Sequence, residues 1–252
     1  MEKRNFIIPE FGPLAGLRVI GAGSLIAMPF AATMMADFGA EVIQIERPKI
    51  GDTYRSFPPL KKTEQGTAGS SWMQDARNRL SMTLELDLND PDVKEIFFRL
   101  IERSDIFIEN MVWLDKLGIH DSELLKINPR LVIVHVSGYG HKEFGGLPEI
   151  CDQASYDMTS QAYSGYALFN GYPDRDPLIV KPSLGDYITA LFALFGMLSA
   201  HISAKNTGRG QVVDASQFEA QARVMRDAFT MSSLGLAEVQ RCGTKAIGFQ
   251  PW

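Results

Sequence analysis

A single carboxylate, Asp186, stands where a strongly apolar helix is predicted to begin. It follows the breaker Pro182-Ser183-Leu184-Gly185, and residues 187–202 after it are apolar on almost every face. Such a pattern predicts a helix that is buried on all sides. The glycine before the aspartate lets a ligand or another backbone approach closely. A carboxylate held in a dry setting of this kind could act as a nucleophile.

Asp186 also has an interpretation that needs no chemistry. Aspartate is a preferred N-cap residue, because its carboxylate accepts hydrogen bonds from the free N–H groups of the first helical turn. The local sequence is compatible with both roles. The predicted helix is interrupted by polar or small residues, which argues against a membrane span. These interruptions are Thr189, Gly196, Ser199 and His201.

A glycine-rich turn, Gly21-Ala22-Gly23, is the second candidate site, because it lies between a predicted strand and a predicted helix. A turn at a helix N-terminus suits a phosphate or a thioester oxygen. The third glycine of a dinucleotide-binding fingerprint would fall on Ile26, so binding of a nicotinamide or flavin dinucleotide is only weakly indicated. Arg47, Lys49 and Arg55 follow the next predicted strand. They are either a solvated rim or contacts to ligand phosphates.

The elements that must position these groups alternate between strand and helix, which predicts an α/β fold with an open, mostly parallel sheet. In such sheets ligands bind at the C-terminal ends of strands, where Glu109-Asn110 and Ser137-Gly138-Tyr139-Gly140 are placed. Residues 47–67 are predicted to form a long polar surface loop. The predicted strands are 17–20, 41–45, 81–86, 106–108, 131–136 and 211–214, and the predicted helices are 29–39, 93–103, 122–127, 155–163, 187–202 and 217–231.

The composition is that of a globular protein that does not bind nucleic acid. The 252 residues are 45% hydrophobic and 22% charged, with a net charge of −5 and no basic cluster of the kind that contacts nucleic acid. Two cysteines make no disulfide framework, and the first residues contain no apolar secretion signal. The four histidines show no metal-ligand spacing. A cytoplasmic protein without a metal, a membrane or a nucleic-acid partner is therefore expected.

Several motifs occur in one order along the chain: FGPLAGLRV, GSLIAMPFAATMMADFGAEVIQIERP, IFIEN, VIVHVSGYG, SYDMTSQAYSGY, LGDYITA and TGRGQVVDAS. Together they resemble the class III (family III) CoA-transferases of the CaiB/BaiF type, a group that includes formyl-CoA, carnitine and bile-acid CoA-transferases. The resemblance runs from about residue 11 to about residue 235. It favours the nucleophile over the N-cap as the interpretation of Asp186.

The resemblance also implies a domain organisation. The family has a Rossmann-like large domain and a smaller domain, its members are substantially longer than this chain, and two chains interlock as rings. Residues 1–235 are therefore expected to form the CoA-binding and catalytic large domain, and residues 236–252 a linker toward a second domain that this chain lacks. A homodimer is expected, as is exposed apolar surface larger than a monomer normally shows.

The family's functional residues can be placed on matching positions of this sequence. The resemblance implies that Asp186, within Leu-Gly-Asp-Tyr, is the catalytic nucleophile. Ile26 replaces an amide side chain of the formyl-CoA branch, as it does in the carnitine and bile-acid branches, and Ser137 replaces a lysine of the formyl-CoA branch. Backbone N–H groups would then have to stabilise an oxyanion. The implied contacts to coenzyme A, bound as the acyl-CoA substrate, are Leu25, Ile26, Ala27, Arg47, Asn78, Arg79, Asn110, Met111, Lys116, Ser137, Gly138 and Tyr139.

The reaction implied by the resemblance moves CoA from an acyl-CoA thioester to a free carboxylic acid. Asp186 would attack the thioester and form an acyl-aspartyl anhydride and CoA thiolate. The thiolate would attack the aspartyl carbonyl, release the donor acid and leave an aspartyl-CoA thioester, which the acceptor carboxylate then attacks. An anhydride is quickly hydrolysed, so the site has to exclude water.

Two other functions stay open at this point. Acyl-CoA racemases of the same superfamily carry a His-Asp dipeptide where this chain has Tyr156-Asp157, so the usual base for α-proton abstraction is missing. A non-catalytic CoA-binding subunit or an inactive fragment is the other possibility, because residues 241–252 look like a loop without a closing element. The sequence does not indicate which acids are exchanged.

Overall fold

The computed structural model describes residues 5–64, 66–111, 114–236 and 239–245. Short 3-10 helices span Thr53–Ser56, Leu114–Leu117, Lys142–Phe144 and Tyr166–Phe169. The strands of the described residues are β1 (Arg18–Ala22), β2 (Glu41–Glu46), β3 (Leu60–Thr63), β4 (Gly66–Gly69), β5 (Leu80–Thr83), β6 (Ile106–Glu109), β7 (Val132–Ser137) and β8 (Val212–Ser216). The α-helices are α1 (Ala27–Asp37), α2 (Ser70–Asp75), α3 (Pro91–Glu102), α4 (Asp121–Ile127), α5 (Asp157–Tyr163), α6 (Leu184–Thr207), α7 (Gln217–Val224) and α8 (Ala228–Ser233).

The chain divides into two compact units. The sheet unit comprises Met1–Val136 and Ala190–Ala215, and the helical unit comprises Ser137–Thr189 and Ser216–Trp252. The expected change from a large domain to a linker at residue 235 stays a prediction. Within that linker, residues 237, 238 and 246–252 lie outside the described residues.

A six-stranded sheet forms the centre of the sheet unit, in the order β5-β2-β1-β6-β7-β8. The pairs β5–β2, β2–β1, β1–β6 and β6–β7 are parallel. This confirms the predicted α/β class with a mostly parallel sheet and flanking helices. From β1 the strands continue through β2 to β5 on one side, and from β6 they continue through β7 to β8 on the other side. The crevice at the C-terminal ends of the adjacent strands β1 and β6 is therefore a topological switch point. Open α/β sheets bind their ligands at such points.

Two apolar layers cover the two faces of this sheet. Successive strand residues alternate between them, because side chains along a strand point to opposite faces. Val19 packs with α1 and α6 in one buried cluster, whereas its neighbour Ile20 packs with α3 in the other. Burial of both faces explains why β1, β6 and β7 are largely apolar in the sequence.

Helix α6 differs from the prediction in two ways. It begins at Leu184, so Asp186 lies within the first turn and is not the N-cap residue. The helix is also not buried on all sides, because Leu191, Phe195 and Ile202 are 49%, 73% and 61% exposed. The side of α6 that carries Ala190, Ala193 and Met197 packs on the sheet, while the three exposed residues lie on the other side. By length and hydropathy alone α6 could cross a membrane, a criterion that core helices also meet.

Two further predictions of secondary structure are wrong. The predicted loop 47–67 contains the Thr53–Ser56 turn of 3-10 helix and the antiparallel hairpin β3–β4. The residues of β3 are exposed, so the hairpin lacks the alternation of apolar and polar residues that would indicate it. The predicted helix 217–231 is divided into α7 and α8, because Arg226 has φ = 55° and a right-handed helix cannot continue through that conformation.

Candidate active site

The turn after β1 is held by a side chain from the end of β6. Asn110 donates from Nδ2 to the carbonyl oxygen of Ser24 (2.9 Å), and its Oδ1 accepts from the Ser24 N–H (3.0 Å). Gly23 has φ = 135°, and a Cβ at that position would lie 1.8 Å from Asn110 Oδ1. Only glycine fits this conformation and this approach. The turn and Asn110 therefore form one structure at the switch point of the sheet.

Leu25, Ile26 and Ala27 lead from this turn into α1. Leu25 has φ = 70° and donates its N–H to Asp52 Oδ1 (3.0 Å), while Ile26 is the N-cap residue and makes no side-chain cap hydrogen bond. The start of α1 thus carries backbone N–H groups that side-chain capping does not satisfy, an arrangement that suits an anionic ligand. Burial raises the pKa of Asp52, although its hydrogen bonds from Leu25 and Tyr54 oppose this.

Gln44 links the same turn to Arg79. Its Nε2 donates to the carbonyl oxygen of Gly23 (3.0 Å), and its Oε1 accepts from Arg79 Nη1 (3.1 Å). Burial lowers the pKa of Arg79, while the charges of Asp52 and Glu46 act in the opposite direction. Within the described part of the chain, Arg79 Nε is buried and has no hydrogen-bond partner. A half-buried cation with an unused donor is suited to a phosphate or carboxylate.

Other predicted contacts of CoA have partners elsewhere in the sheet unit. Asn78 donates to Asp37 Oδ1 (2.8 Å), and Arg47 lies 3.6 Å from Glu85 in an exposed ion pair. Lys116 lies exposed in the Leu114–Leu117 turn. The predicted contacts that lie together at the Gly23 turn are Leu25, Ile26, Ala27 and Asn110, with Arg79 connected to them through Gln44. Met111 follows Asn110 directly and donates its N–H to Glu109 Oε2 (2.5 Å).

Arg55, which the sequence placed in a basic cluster with Arg47 and Lys49, makes a structural ion pair. It donates to both carboxylate oxygens of Glu46 (2.8 and 2.6 Å), and its guanidinium lies 3.9 Å above the Trp72 ring. Burial acts to raise the pKa of Glu46, but the hydrogen bonds from Arg55 and Asp52 lower it below its ordinary value. Arg55 is therefore not part of a solvated rim, and it is not an unpaired cation that is available to a phosphate.

In the helical unit, Asp186 is a buried carboxylate with an amide beside it. The residue is 8% exposed, and its Oδ1 accepts a 2.5 Å hydrogen bond from Gln217 Nε2. Gln217 is the first residue of α7, and Ser216 fixes that helix start because its Oγ accepts from the Glu219 N–H (3.1 Å).

Asp157 is a second buried carboxylate of this unit. Its oxygens accept from Gln161 Nε2 (3.0 and 2.9 Å), and Oδ1 also accepts from the Gly185 N–H (2.7 Å). These donors satisfy acceptor sites on both oxygens of the Asp157 carboxylate. Burial and then the charge of Asp157 raise the pKa of Asp186 to about 7, although the hydrogen bond from Gln217 acts to lower it.

Gly185 has to be glycine because of what lies against it. A Cβ there would lie 2.4 Å from Gln221 Nε2 and 3.1 Å from Asp157 Oδ1. The Gln221 amide also donates to Ser160 Oγ (2.6 Å). The glycine thus lets α5 and α7 approach the start of α6, as expected from its place before Asp186.

The predicted contacts Ser137, Gly138 and Tyr139 are joined to the same part of the helical unit. The Phe218 N–H donates to the carbonyl oxygen of Gly138 (3.0 Å), and Ser137 Oγ accepts from the Gly140 N–H (2.9 Å). Tyr139 is buried and packs edge-on against Tyr163, with ring centroids 5.0 Å apart. Gly138 is therefore bonded to the residue that follows Gln217.

Sequence reasoning missed several residues of the candidate site in each of the two units. A signal for one of them was present, because Ser216 and Glu219 have the spacing of a capping box and so mark Gln217 as the first residue of a helix. That spacing does not reveal which carboxylate the glutamine would meet. The missed residues are Asp157, Gln161, Gln217 and Gln221 in the helical unit, and Gln44 and Asp52 in the sheet unit.

The model of CoA-transferase family III matches residues 14–251 of this chain. The chain belongs to this family. Membership confirms the resemblance inferred from the ordered motifs, and with it a family of transferase enzymes for which coenzyme A is a substrate. The expected absence of a metal stays a prediction.

Relatives in this family are named as CoA-transferases of different acids. The bile acid CoA-transferase BaiK of Clostridium scindens is 42% identical over 219 residues, which are 86% of this chain and 46% of the relative. The alpha subunit of the succinyl-CoA–L-malate CoA-transferase of Chloroflexus aurantiacus is 36% identical over 220 residues, 84% of this chain and 48% of the relative. The chain thus spans about half the length of these relatives.

Two solved structures share this fold. A CAIB/BAIF family protein from Brucella suis superposes with a TM-score of 0.85 at 28% identity, covering 96% of this chain and 62% of that one. The hypothetical protein Rv3272 from Mycobacterium tuberculosis superposes with a TM-score of 0.76 at 23% identity, covering 89% of this chain and 60% of that one. The second likeness concerns the fold alone.

Proposed function

We propose that this protein transfers CoA from an acyl-CoA thioester to a free carboxylic acid, with Asp186 as the covalent nucleophile. The observation that supports this most is the state of Asp186, a buried carboxylate whose pKa is raised to about 7. A carboxylate of raised pKa is a better nucleophile when ionised, and a buried one meets the thioester with little competing water.

The proposed contacts of CoA are those named from the sequence. In the sheet unit, the N-terminus of α1 and the unused Nε of Arg79 support binding of phosphate oxygens. Arg47, Asn78 and Lys116 are weaker proposals, because the first two have protein partners and the third is exposed. In the helical unit, Ser137, Gly138 and Tyr139 are proposed because Gly138 is bonded to the helix that carries Gln217.

An acyl-CoA racemase is less well supported. Tyr156, which occupies the position of the missing histidine, is 62% exposed, whereas its neighbour Asp157 is buried and accepts three hydrogen bonds. A carboxylate held in this way is poorly placed to exchange a proton with substrate. A non-catalytic CoA-binding role is also less well supported, because it does not require a buried carboxylate with a raised pKa at Asp186.

A cytoplasmic homodimer is proposed for the assembled protein. The exposed apolar side chains of α6 support an interface there, because large apolar patches on a surface mark interaction sites. Light scattering tests this assembly. The acids are proposed by class only, since the relatives are named for a steroid acid in one case and for small dicarboxylates in the other.

The decisive experiment for the proposed reaction is a panel assay with intact-mass detection. Cholyl-CoA, succinyl-CoA and acetyl-CoA serve as donors against free cholate, malate and acetate, and covalent adducts on the protein are measured after rapid quenching. We expect CoA exchange in at least one combination and an adduct that hydroxylamine converts to a hydroxamate at Asp186.

Asp186→Ala is the matched variant for this assay. It should abolish exchange and adduct, a loss of more than about 10³-fold, because it removes the nucleophile itself. Asp152→Asn, an exposed aspartate of the same unit, should behave like the wild type. Exchange by Asp186→Ala at a rate near that of the wild type would disprove the proposed nucleophile.

A further inference from the structure

The two oxygens of the Asp186 carboxylate are not equivalent. Oδ1 accepts the hydrogen bond from Gln217 Nε2, which is 2.5 Å long. An amide donor bonded to one oxygen holds the carboxylate in one orientation and leaves Oδ2 as the oxygen with the more available lone pairs. The geometry thus separates an oxygen that can attack from an oxygen that is held.

The proposed reaction uses the Asp186 carboxyl group in two different ways. In the first step Asp186 is the nucleophile: Oδ2 forms a bond to the thioester carbon and CoA leaves as thiolate. In the two steps that follow, Cγ of Asp186 is itself the carbon under attack. Negative charge then develops on the Asp186 oxygen that stays bonded to Cγ, and that oxygen is Oδ1.

We propose that Gln217 is a catalytic residue, with Nε2 as the oxyanion donor for the steps in which Asp186 Cγ is attacked. This role rests on the covalent mechanism proposed above. Hydrogen-bond donors already aimed at the oxygen that gains charge lower such barriers without reorganisation. Gln217 meets this condition before any substrate binds, because its amide contacts Oδ1 in the free protein.

The bond changes balance without an added reactant. CoA thiolate attacks Cγ of the anhydride, Oδ1 takes the negative charge, and the Cγ–Oδ2 bond breaks, so Oδ2 leaves with the donor acid as its carboxylate. The acceptor carboxylate then attacks Cγ of the aspartyl-CoA thioester, Oδ1 takes the charge again, and thiolate leaves. Thiolate finally attacks the acceptor carbonyl of the new anhydride, which releases acceptor-CoA and restores the Asp186 carboxylate. Oδ1 keeps its bond to Cγ throughout.

The other end of the Gln217 amide argues against a purely structural role. Gln217 is 5% exposed, and within the described residues its buried Oε1 has no hydrogen-bond partner. A buried carbonyl without a donor costs stability, so a side chain selected for stability alone would not be an amide here. Gln221, one turn later, is completely buried too, but its side-chain amide has partners. It donates to Ser160 Oγ and to the backbone carbonyl oxygen of Gln217.

Gln217→Met tests the proposal, because methionine is similar in length and has no N–H. With a donor that the panel has identified, and with no acceptor acid, rapid quenching and intact-mass measurement follow the aspartyl-CoA adduct. We expect it to form about 10²–10³-fold more slowly than in the wild type, the loss seen when one oxyanion donor is removed. When the rate of adduct formation is plotted against pH, the fall on the acid side (the acid limb) should also move to higher pH, because the hydrogen bond from Gln217 lowers the pKa of Asp186.

Gln221→Met is the matched control, since it removes another buried amide from the same helix. We expect a loss of stability without a change in the pH at which the acid limb falls. Gln217→Glu is the second variant: a protonated glutamic acid can donate to Oδ1 and an ionised one cannot, so its rate relative to the wild type should rise as the pH falls. Circular dichroism verifies that each variant folds.

The outcomes separate this proposal from the one on which it rests. If the wild type forms no adduct with any donor of the panel, the covalent mechanism itself is wrong, and Gln217 has no oxyanion to stabilise. If the wild type forms the adduct and folded Gln217→Met forms it at the same rate, the covalent mechanism stands and the role of Gln217 is overturned. A Gln217→Glu variant whose relative rate does not depend on pH would also overturn it.

Discussion

Two buried charged groups of this protein illustrate opposite solutions to the same problem. In the sheet unit, His135 is 4% exposed and lies between two carboxylates, with Nδ1 2.6 Å from Glu109 and Nε2 3.0 Å from Asp121. In the helical unit, Asp186 is buried beside Asp157, and an amide is its hydrogen-bond donor. Both groups are removed from water, but the first has opposite charges next to it and the second has a like charge.

The pKa values of the two groups follow from these surroundings. Burial acts to lower the pKa of His135, but the hydrogen bonds and charges of Asp121 and Glu109 raise it to about 10. Burial and the charge of Asp157 raise the pKa of Asp186 to about 7. The histidine is therefore held in its charged form near neutral pH, whereas the aspartate changes protonation there. Compensation by opposite charges suits a structural role for His135, and the lack of such compensation suits the role proposed for Asp186 as a nucleophile.

The largest effect on stability is expected from removal of the charge on His135. His135→Gln leaves Glu109 and Asp121 without their shared cation and should lower the free energy of unfolding by about 3 kcal/mol, the low end for breaking a buried ion pair. Because the pKa is raised, the stabilisation is complete below the ordinary value of 6.5 and is lost as the pH rises to about 10. Urea denaturation at several pH values measures both effects.

A control for this variant is the double replacement His135→Leu with Glu109→Leu. It removes both members of the most buried pair and should recover part of the lost stability, because buried apolar groups of similar shape carry no desolvation cost. Wild-type stability in His135→Gln would show that the charge on the histidine is not what stabilises the array.

Replacement of the Asp186 carboxylate by an amide is expected to stabilise the folded protein. Its pKa is raised from 3.8 to about 7, so the folded state holds the proton more tightly than the unfolded state does, and stability falls as the pH rises from about 4 to about 7. Asp186→Asn removes this penalty and should increase the free energy of unfolding at pH 8 by about 2 kcal/mol, or Tm by about 4–8 °C. The gain should shrink below pH 5. A thermal scan in which the variant is less stable than the wild type at pH 8 would contradict the unfavourable ionisation.

Asp157→Asn tests the source of the raised pKa. With the like charge removed, the acid limb of the transfer rate should move to lower pH by about one pH unit. Asp152→Asn removes a charge from an exposed position of the same unit and should leave the profile unchanged. An unshifted profile in Asp157→Asn would mean that burial alone sets the pKa of Asp186.

The smallest effect on stability is expected where the charges stay in water. Arg47 and Glu85 are 66% and 63% exposed, and exposed ion pairs contribute about 0–1 kcal/mol. Arg47→Ala should therefore leave Tm within about 2 °C of the wild type. If Arg47 contacts CoA as proposed, calorimetry should show weaker CoA binding in this variant with a loss that increases at low salt. Unchanged affinity would remove Arg47 from the proposed contacts, and a large loss of stability would contradict the comparison.

Prediction from the sequence succeeded where one local property decides the structure. The apolar runs that became β1, β6 and β7 are nearly continuous because both faces of a parallel sheet are buried, and the alternation with helices indicates the parallel topology. The exposed hairpin β3–β4 has no such pattern and was missed. The single helix predicted over residues 217–231 is interrupted at Arg226, which has a positive φ. The neighbouring residues give no signal in the sequence that Arg226 adopts this conformation.

The sequence by itself determined the class of fold, the family and the aspartate on which the proposed chemistry depends, because these follow from periodicity and from motifs in a fixed order. Only the tertiary structure decided how that aspartate behaves. The pKa of Asp186 depends on burial by distant residues, on Asp157 and on Gln217, which is 31 positions away along the chain. Electrostatic energies depend on distance and on the loss of water, and neither quantity is encoded in the spacing of residues along a chain.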